Sequence, residues 1–506
     1  MTIDPRTPVI VAVGQSEQRP ADPRDALEPI DLLAEAVRLA DSSLGTAALA
    51  SRADTVAVVE FMSAQYPDPG RALARRIGAE PATTVTTTIG GNTPQMLVHH
   101  FGRAIQRGEA EVVVIGGVET VFTRSRARRA DPPIDLGWGR RDAPDPACPI
   151  VLGDDRPGTS DYENAHGAIA PTSMYPLFET AIRRAEGRTV TEHRRAVGEL
   201  WEHFAAVAAT NPHAWSRRAF AADEITLASP DNRMVTFPYT KRMCANIQVD
   251  QAAAILLCSF GAARSAGVPT DLMVFPWAGA EANDHFHVTE RRSLADSPAI
   301  AAAVADALGA ARIGLDDIAR FDLYSCFPSA VQLALRATGL GGPATDPRPL
   351  TVTGGLGFAG GPGNAYVVRS IAAMVEACRA DPGSLGLVTA LGWYATKHAA
   401  GVYSTTPNPV TPEFVPKART QAVVDAQPAR RVAGAYSGPA ELEATSIVVE
   451  RDGTPAFGLC SLLTPDGSRA FANSTDVTLL TAMTTEAWEG RTVQVRGDGS
   501  TNLLEV

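Results

Sequence analysis

Apolar positions along the chain form short blocks that alternate with stretches of helical spacing. Val9–Val13 is an apolar run, and Pro29–Leu39 sets Ile30, Leu32, Leu33, Ala36 and Val37 on one helical face. Thr55–Phe61 is a second apolar strand. Thr83–Ile89 is a third, rich in β-branched residues that are stiff at χ1 and favour strands. It ends in Gly90-Gly91-Asn92, a helix is predicted over Thr93–Arg107, and the strand Glu111–Ile115 closes on Gly116-Gly117. The order then recurs. Leu272–Phe275 reads as strand, Ser297–Leu308 as helix, Phe321–Tyr324 as strand and Ser329–Thr338 as helix. Leu350–Thr353 reads as a strand ending in Gly354-Gly355, Asn364–Arg379 as helix, and Leu385–Leu391 as a strand closed by Gly392. A TVT strand ending in Gly-Gly, a long helix, an apolar strand and a glycine therefore occur once per half, which points to an internal duplication.

Two regions break this pattern. Residues of about 120–240 are rich in Arg, Pro and Asp and then carry helical stretches at Ala170–Glu186 and Glu192–Thr210. They read as an insertion packed on the sheet, and a helix over Gln251–Leu257 returns the chain to the first half. Beyond the Pro-containing stretch Thr406–Pro416 the alternation has period two, at Ser446–Glu450, Ala456–Leu463, Thr475–Thr481 and Thr492–Val495. Asp452-Gly453, Asp466-Gly467 and Asp498-Gly499 supply turns. This is the pattern of a separate all-β domain over about 415–506, for which a small closed barrel of the OB type is expected, because closure removes exposed sheet edges.

Composition narrows the functional classes. The chain has 506 residues, 45% hydrophobic and 20% charged, with a formal net charge of −11. That balance suits a soluble globular protein and disfavours broad contact with a phosphate backbone. No basic leader precedes a long apolar run and no uninterrupted apolar stretch is long enough to cross a bilayer. Neither a secretory signal nor a membrane span is expected. Cys148, Cys244, Cys258, Cys326, Cys378 and Cys460 lie far apart with no CxxC pair and no histidine at zinc spacing. They read as reduced thiols of a cytoplasmic protein, with no metal site and no cofactor.

Local motifs give the duplicated pattern a family. Gly116–Thr120 (GGVET) resembles the GGxE segment of thiolases, and Asn246–Ala254 (NIQVDQAAA) their N-x-x-x-D-G-A-A-A segment. Asn211–Trp215 (NPHAW) sits in a helix-rich insertion, as in the sterol-carrier-protein subfamily of thiolases. Tyr324–Phe327 (YSCF) stands where that subfamily carries H-D-C-F, and Gly354–Pro362 (GGLGFAGGP) resembles its G-G-x-x-x-x-G-H-P. The resemblance covers residues 1 to about 405. It implies an α/β chain with a duplicated, five-layered αβαβα thiolase fold: an N-terminal half over 1–265 with its loop domain at about 120–240, and a C-terminal half over 266–410. The antiparallel OB-like barrel follows.

The same resemblance exposes what is missing. A thiolase needs a nucleophilic cysteine after the third strand, where a helix N-terminus can lower the thiol pKa. The matching residue is Gly90, or Gly91 if the register slips by one. The histidine of G-H-P is replaced by Gly361, with Pro362 retained, and the second catalytic cysteine falls near Ala390. Glycine can neither move a proton nor form a thioester, so standard thiolysis and Claisen condensation are not expected. Tyr324, where the subfamily has histidine, is a candidate oxyanion donor or general acid; a strand-end tyrosine with a solvated hydroxyl is the plain alternative. His398, in the final loop GWYATKHAAGVYS, is a candidate base, set against a surface or capping histidine, and the adjacent Lys397 reads as solvated. Cys326 reads as a small buried side chain beside the substrate. Gly90, Gly91, Gly354, Gly355, Gly360 and Gly361 would leave backbone N–H groups open to a thioester, with Asn92 adding an amide donor or capping its helix. Arg124 and Arg126, or Lys241 and Arg242, are candidate holders of coenzyme A phosphates, against the usual reading of charge runs as solvated faces.

The resemblance thus implies a binder of acyl-CoA or a related CoA thioester. A CoA-ester aldolase or retro-aldolase using Tyr324, an active acetyl-CoA acyltransferase, and a non-catalytic interaction protein stand as alternatives. A protein partner on the β-domain and either a monomer or a homodimer fit the pattern; nucleic acid does not, since the domain lacks interleaved basic and aromatic residues.

Overall fold

The computed structural model describes residues 3–45 and 49–505. The strands of the first half are β1 (Pro8–Glu17), β2 (Thr55–Val58), β3 (Thr83–Thr87), β4 (Val112–Thr120) and the short β5 (Val151–Leu152). The insertion adds β6 (Met234–Phe237) and β7 (Tyr239–Thr240) before β8 (Asp250–Ser259). The second half carries β9 (Phe275–Asn283), β10 (Ile318–Asp322), β11 (Leu385–Gly392), β12 (Lys397–Ser404) and β13 (Glu413–Phe414). Sheet order is β1-β8-β4-β2-β3-β5 in the first half and β10-β11-β12-β9-β13 in the second. The helices Thr93–Arg107 and Tyr366–Ala380 lie between the two sheets, and Pro29–Ser42 and Pro298–Ala311 cover their outer faces. This is the five-layered, duplicated arrangement.

Several elements differ from the sequence expectation for physical reasons. Asp250–Ser259 is not a helix but the strand β8, paired antiparallel to both β1 and β4. Helices cover both of its faces, so its side chains are apolar throughout and period two disappears. Leu350–Thr353 follows the outer edge of β10, where Phe321 and Leu323 donate to Pro349 O and Leu350 O (2.8 and 3.0 Å), but Val352 and Thr353 form a bend. The segment GWYATKHAAGVYS is not a loop: after a tight turn it forms β12, buried along its whole length between β11 and β9.

The C-terminal strands are β14 (Gly438–Val449), β15 (Pro455–Leu463), β16 (Arg469–Ser474), β17 (Thr492–Asp498) and β18 (Thr501–Glu505). They close in the order β14-β15-β16-β18-β17-β14, antiparallel except for β16 beside β18, with a helix between β16 and β17. That is the OB-type barrel. The helix is Val477–Thr485, where a strand was expected. Asp476 caps it by accepting from the N–H groups of Thr478 and Leu479, and Leu479, Leu480 and Met483 face the barrel core. A second unexpected helix, Lys417–Asp425, packs on the second half rather than on the barrel.

The barrel is bonded into the body. β14 pairs with β6 of the insertion through Ile447 opposite Phe237 and Val448 opposite Thr236. The fully buried Arg469 holds Glu443 in a two-point ion pair at 2.7 Å and donates to the carbonyls of Val288 and Thr289 in the second half. A buried guanidinium is stable there only because its donors are matched. Among the described residues, no helix is long and apolar enough to cross a membrane.

Candidate functional site

β3 ends at Thr87, and the chain turns through Gly90 and Gly91 into the helix Thr93–Arg107. The turn is fixed by cross-links to the other half. Gly90 N–H donates to Asn364 Oδ1 (3.0 Å), whose amide donates to Glu60 O (2.9 Å), and Thr93 Oγ1 donates back to Gly90 O (2.8 Å). A Cβ at Gly91 would lie 2.6 Å from the Tyr324 hydroxyl and 2.5 Å from Leu391 O. A Cβ at Gly90 would instead meet Asn92 Oδ1 at 2.5 Å and Lys397 Cδ at 3.6 Å. Gly91 is therefore the position that faces Tyr324 and the end of β11. The Gly91 N–H has no backbone or side-chain acceptor among the described residues. Asn92 is buried, makes no capping bond to its helix, and leaves Oδ1 without a partner between Gly90 and Gly392.

Tyr324 follows β10. Its N–H donates to Thr389 Oγ1 on β11 (2.9 Å), and its ring stands edge-on to Tyr366 at 5.6 Å. Its side chain is 9% exposed, and its hydroxyl makes no hydrogen bond within the described protein. Burial pushes the phenol well above its ordinary pKa, so the oxygen keeps its proton and can donate to a developing negative charge. Cys326 is buried, and desolvation pushes its thiol up to about 12. A thiol kept protonated is a poor nucleophile.

β12 places the two candidates on its N-terminal end. His398 is neither exposed nor a cap. It is buried, its Nε2 lies 3.0 Å from Ala395 O and 3.5 Å from Asp284 Oδ2, and it shares a cavity of about 10 Å³ with Tyr324 and Thr389. That space is about one water, too small for a substrate. Lys397 is not solvated. It is buried, its Nζ donates to the carbonyls of Ile89 and Asp154, and burial lowers its pKa to about 8. It ties the strand leading to Gly90 to the loop after β5.

Three of the remaining predicted donors are occupied. Gly354 N–H donates to Thr351 Oγ1, Gly355 N–H to Thr353 Oγ1, and Gly361 N–H to Asn246 O (2.9, 3.2 and 2.9 Å). The helix Val190–Thr210 covers Gly354 and Gly355 through Ala208 and Phe204, and Gln251 covers Gly360. The bonded amides of Gly354, Gly355 and Gly361 are not open to a thioester. At Gly361, by contrast, a Cβ would find its nearest atoms at 3.5 Å, ordinary contact, beside Pro362. Arg124 donates to Met62 O, and Arg126 to Pro20 O and Ala21 O, so both guanidinia hold loop carbonyls. Arg242 donates to Glu224 O and covers the Phe220 ring at 4.6 Å, and Lys241 is exposed. Two residues escaped the sequence reading. Asn364 had only its place after a Gly-Pro-Gly turn to mark it, and Thr389 carried no signal beyond strand propensity. Among the described residues, no group of three His, Cys, Asp or Glu side chains is placed to hold a metal ion.

Comparison with known proteins supports this architecture. Residues 420–500 match the family model described as the thiolase-like protein type 1 additional C-terminal domain. A crystal structure described as a monomeric SCP2-thiolase like protein type 1 (STLP1) from Mycobacterium smegmatis is 34% identical, with 100% of each chain covered and a TM-score of 0.85. Two others share the fold at lower identity. One is described as the Ltp2-ChsH2(DUF35) aldolase, 18% identical, covering 79% of this chain and 98% of that one (TM-score 0.59). The other is the dimeric peroxisomal thiolase of Saccharomyces cerevisiae, 13% identical, covering 80% of this chain and 98% of that one (TM-score 0.56). No curated protein matches the sequence.

Proposed function

The chain belongs to the SCP2-thiolase-like proteins of type 1, and on that premise we propose that it binds an acyl-CoA or a related CoA thioester without carrying out cysteine-dependent thiolysis or condensation. One observation carries the reading: Gly91 occupies the place that faces Tyr324 and the end of β11, leaving no side chain there to form an acyl-enzyme. What remains is a protonated phenol beside Gly91, whose N–H has no acceptor among the described residues, a pair suited to hold a thioester or enolate oxygen. Incubation with acetoacetyl-CoA and CoA tests it directly. No acetyl-CoA is expected to form, and clear turnover would return the protein to the active acyltransferases. Calorimetry with the same ester tests the binding half; a flat titration would favour a protein whose role is to hold a partner through its β-domain.

A second reading has its own support. Tyr324 keeps an unpartnered, protonated hydroxyl in the site, and one of the structures sharing the fold is described as an aldolase. Carbon–carbon cleavage of a β-hydroxyacyl-CoA needs a base to take the β-hydroxyl proton and a donor to hold the enolate, rather than a nucleophile, and the Tyr324 hydroxyl is suited to the donor's role. Aldehyde release from such an ester, lost in Tyr324→Phe with binding retained, would establish it.

We also read the protein as a cytoplasmic monomer. The outer edge of β3 is taken by β5, with Thr86 opposite Val151 and Thr87 opposite Leu152. A paired edge is not free to build a strand-to-strand dimer. Light scattering at the 53.2 kDa chain mass is the expected result.

A further inference from the structure

A cavity of about 300 Å³ lies away from Gly91, where the insertion meets the barrel. Its walls are apolar, chiefly Val197, Met234, Phe237 and Met243, and Thr484 of the barrel helix closes one side. Tyr239 forms part of the floor, and its ring stacks on Phe327, which stacks on Tyr175. This aromatic layer (centroids 5.3 and 4.5 Å apart) separates the cavity from Cys326 and Tyr324. A dry apolar cavity of roughly 150 Å³ is enough to admit benzene. This one has about twice that room, and its size lies within the range of small-molecule sites.

The charges along it have one sign to spare. Glu179 is fully buried and spent: its carboxylate accepts from His193 Nε2 (2.6 Å), the Tyr239 hydroxyl (2.6 Å) and the Gln332 amide. Arg183 pairs with Glu489 of the barrel, and its Nε is buried without an acceptor. Arg194, exposed at the rim, makes no ion pair among the described residues, and Leu227 beside it is 42% exposed. The cavity therefore offers an apolar interior, an apolar lip and an unneutralised guanidinium at the mouth, and His193 Nδ1 is buried in its lining without a partner.

We propose that this cavity is a binding site for an amphipathic carboxylate, with its alkyl tail of roughly eight to ten carbons among Val197, Met234, Phe237 and Met243 and its head on Arg194. The site goes beyond the CoA-ester reading and does not depend on it. Because its walls come from the insertion and the barrel together, its occupancy would link the added domain to the thiolase body.

Calorimetric titration of the full chain with decanoate, and separately with decanoyl-CoA, tests the proposal. Decanoate is expected to bind saturably, with Arg194→Glu weakening it about tenfold or more. Val197→Trp, which fills the interior, should abolish binding. Leu227→Trp plugs the exposed lip with little risk to folding, and unchanged thermal unfolding certifies either variant. No decanoate binding, or binding indifferent to both Arg194→Glu and Leu227→Trp, overturns the site. Binding confined to decanoyl-CoA, unmoved by free decanoate, overturns it as well. Failure of the CoA-ester reading alone would appear as a flat decanoyl-CoA titration with decanoate binding intact.

Discussion

The two Gly-Gly turns of the duplicated fold have opposite fates. In each half a TVT segment runs into a glycine pair before a helix between the sheets: Gly90-Gly91 in the first, Gly354-Gly355 in the second. In the first half the second glycine faces a tyrosine hydroxyl with no partner, and its own N–H is unused. In the second, the glycine N–H groups are bonded, both residues have positive φ (+95° and +78°), and the Val190–Thr210 helix presses on them. A repeated motif therefore does not imply a repeated role. What covers the turn decides whether its N–H groups are spent on packing or left without an acceptor.

The sharpest way to break this comparison is to substitute both turns. At Gly354 a side chain is wrong for the backbone angle and lies 2.5 Å from the Ala208 main chain. Gly354→Val is expected to lose about 3–5 kcal/mol in urea unfolding, or to fail to accumulate folded. Next in size is the lysine behind the first turn. Lys397 has a folded pKa lowered from 10.5 to about 8, so between those values the unfolded chain binds the proton that the folded chain has shed. Stability should therefore rise with pH across that window, by about 3 kcal/mol, and the burial cost is present in full below pH 8. Unfolding midpoints in Lys397→Met, compared with wild type from pH 7 to 10.5, should lack this rise.

Gly91→Ala should cost less, about 1–2 kcal/mol, because its backbone needs no left-handed angle and one of its two close neighbours is the tip of a movable side chain. A Gly91 variant as costly as the Gly354 one would erase the distinction between the turns. The smallest effect belongs to Tyr324→Phe. Removing a hydroxyl with no protein partner should change stability by less than about 0.5 kcal/mol. A loss above 2 kcal/mol would mean that the phenol holds the fold together rather than waiting for a ligand.

Much of this was legible along the chain. Helix Thr93–Arg107 emerges with the expected bounds because Pro94 and Gly108 punctuate a strong apolar face. The barrel emerges from period-two alternation and Asp-Gly turns. β8 was not legible: Ala252–Leu257 is apolar on every side, and a run buried on both faces carries no period. Lys397 and His398 were misplaced for a related reason. Gly392 and the small residues Ala395, Ala399, Ala400 and Gly401 imitate a loop, whereas Ala399, Ala400 and Gly401 lie within β12 and let the strand pack tightly between its neighbours.

The sequence by itself determined the scaffold. Periodicity and glycine placement set which strands and helices form, and the absence of a cysteine near Gly90 needs no coordinates. Only the tertiary structure decided which glycine faces Tyr324, which amides are spent and which charges are free. Those depend on groups far apart in sequence, such as Gly91 with Tyr324 and Leu391, Gly354 with Ala208, or Arg194 with the barrel's Thr484. Local pattern records how a segment buries its own surface, but a hydrogen bond or a clash between distant segments is set by packing that no local pattern encodes.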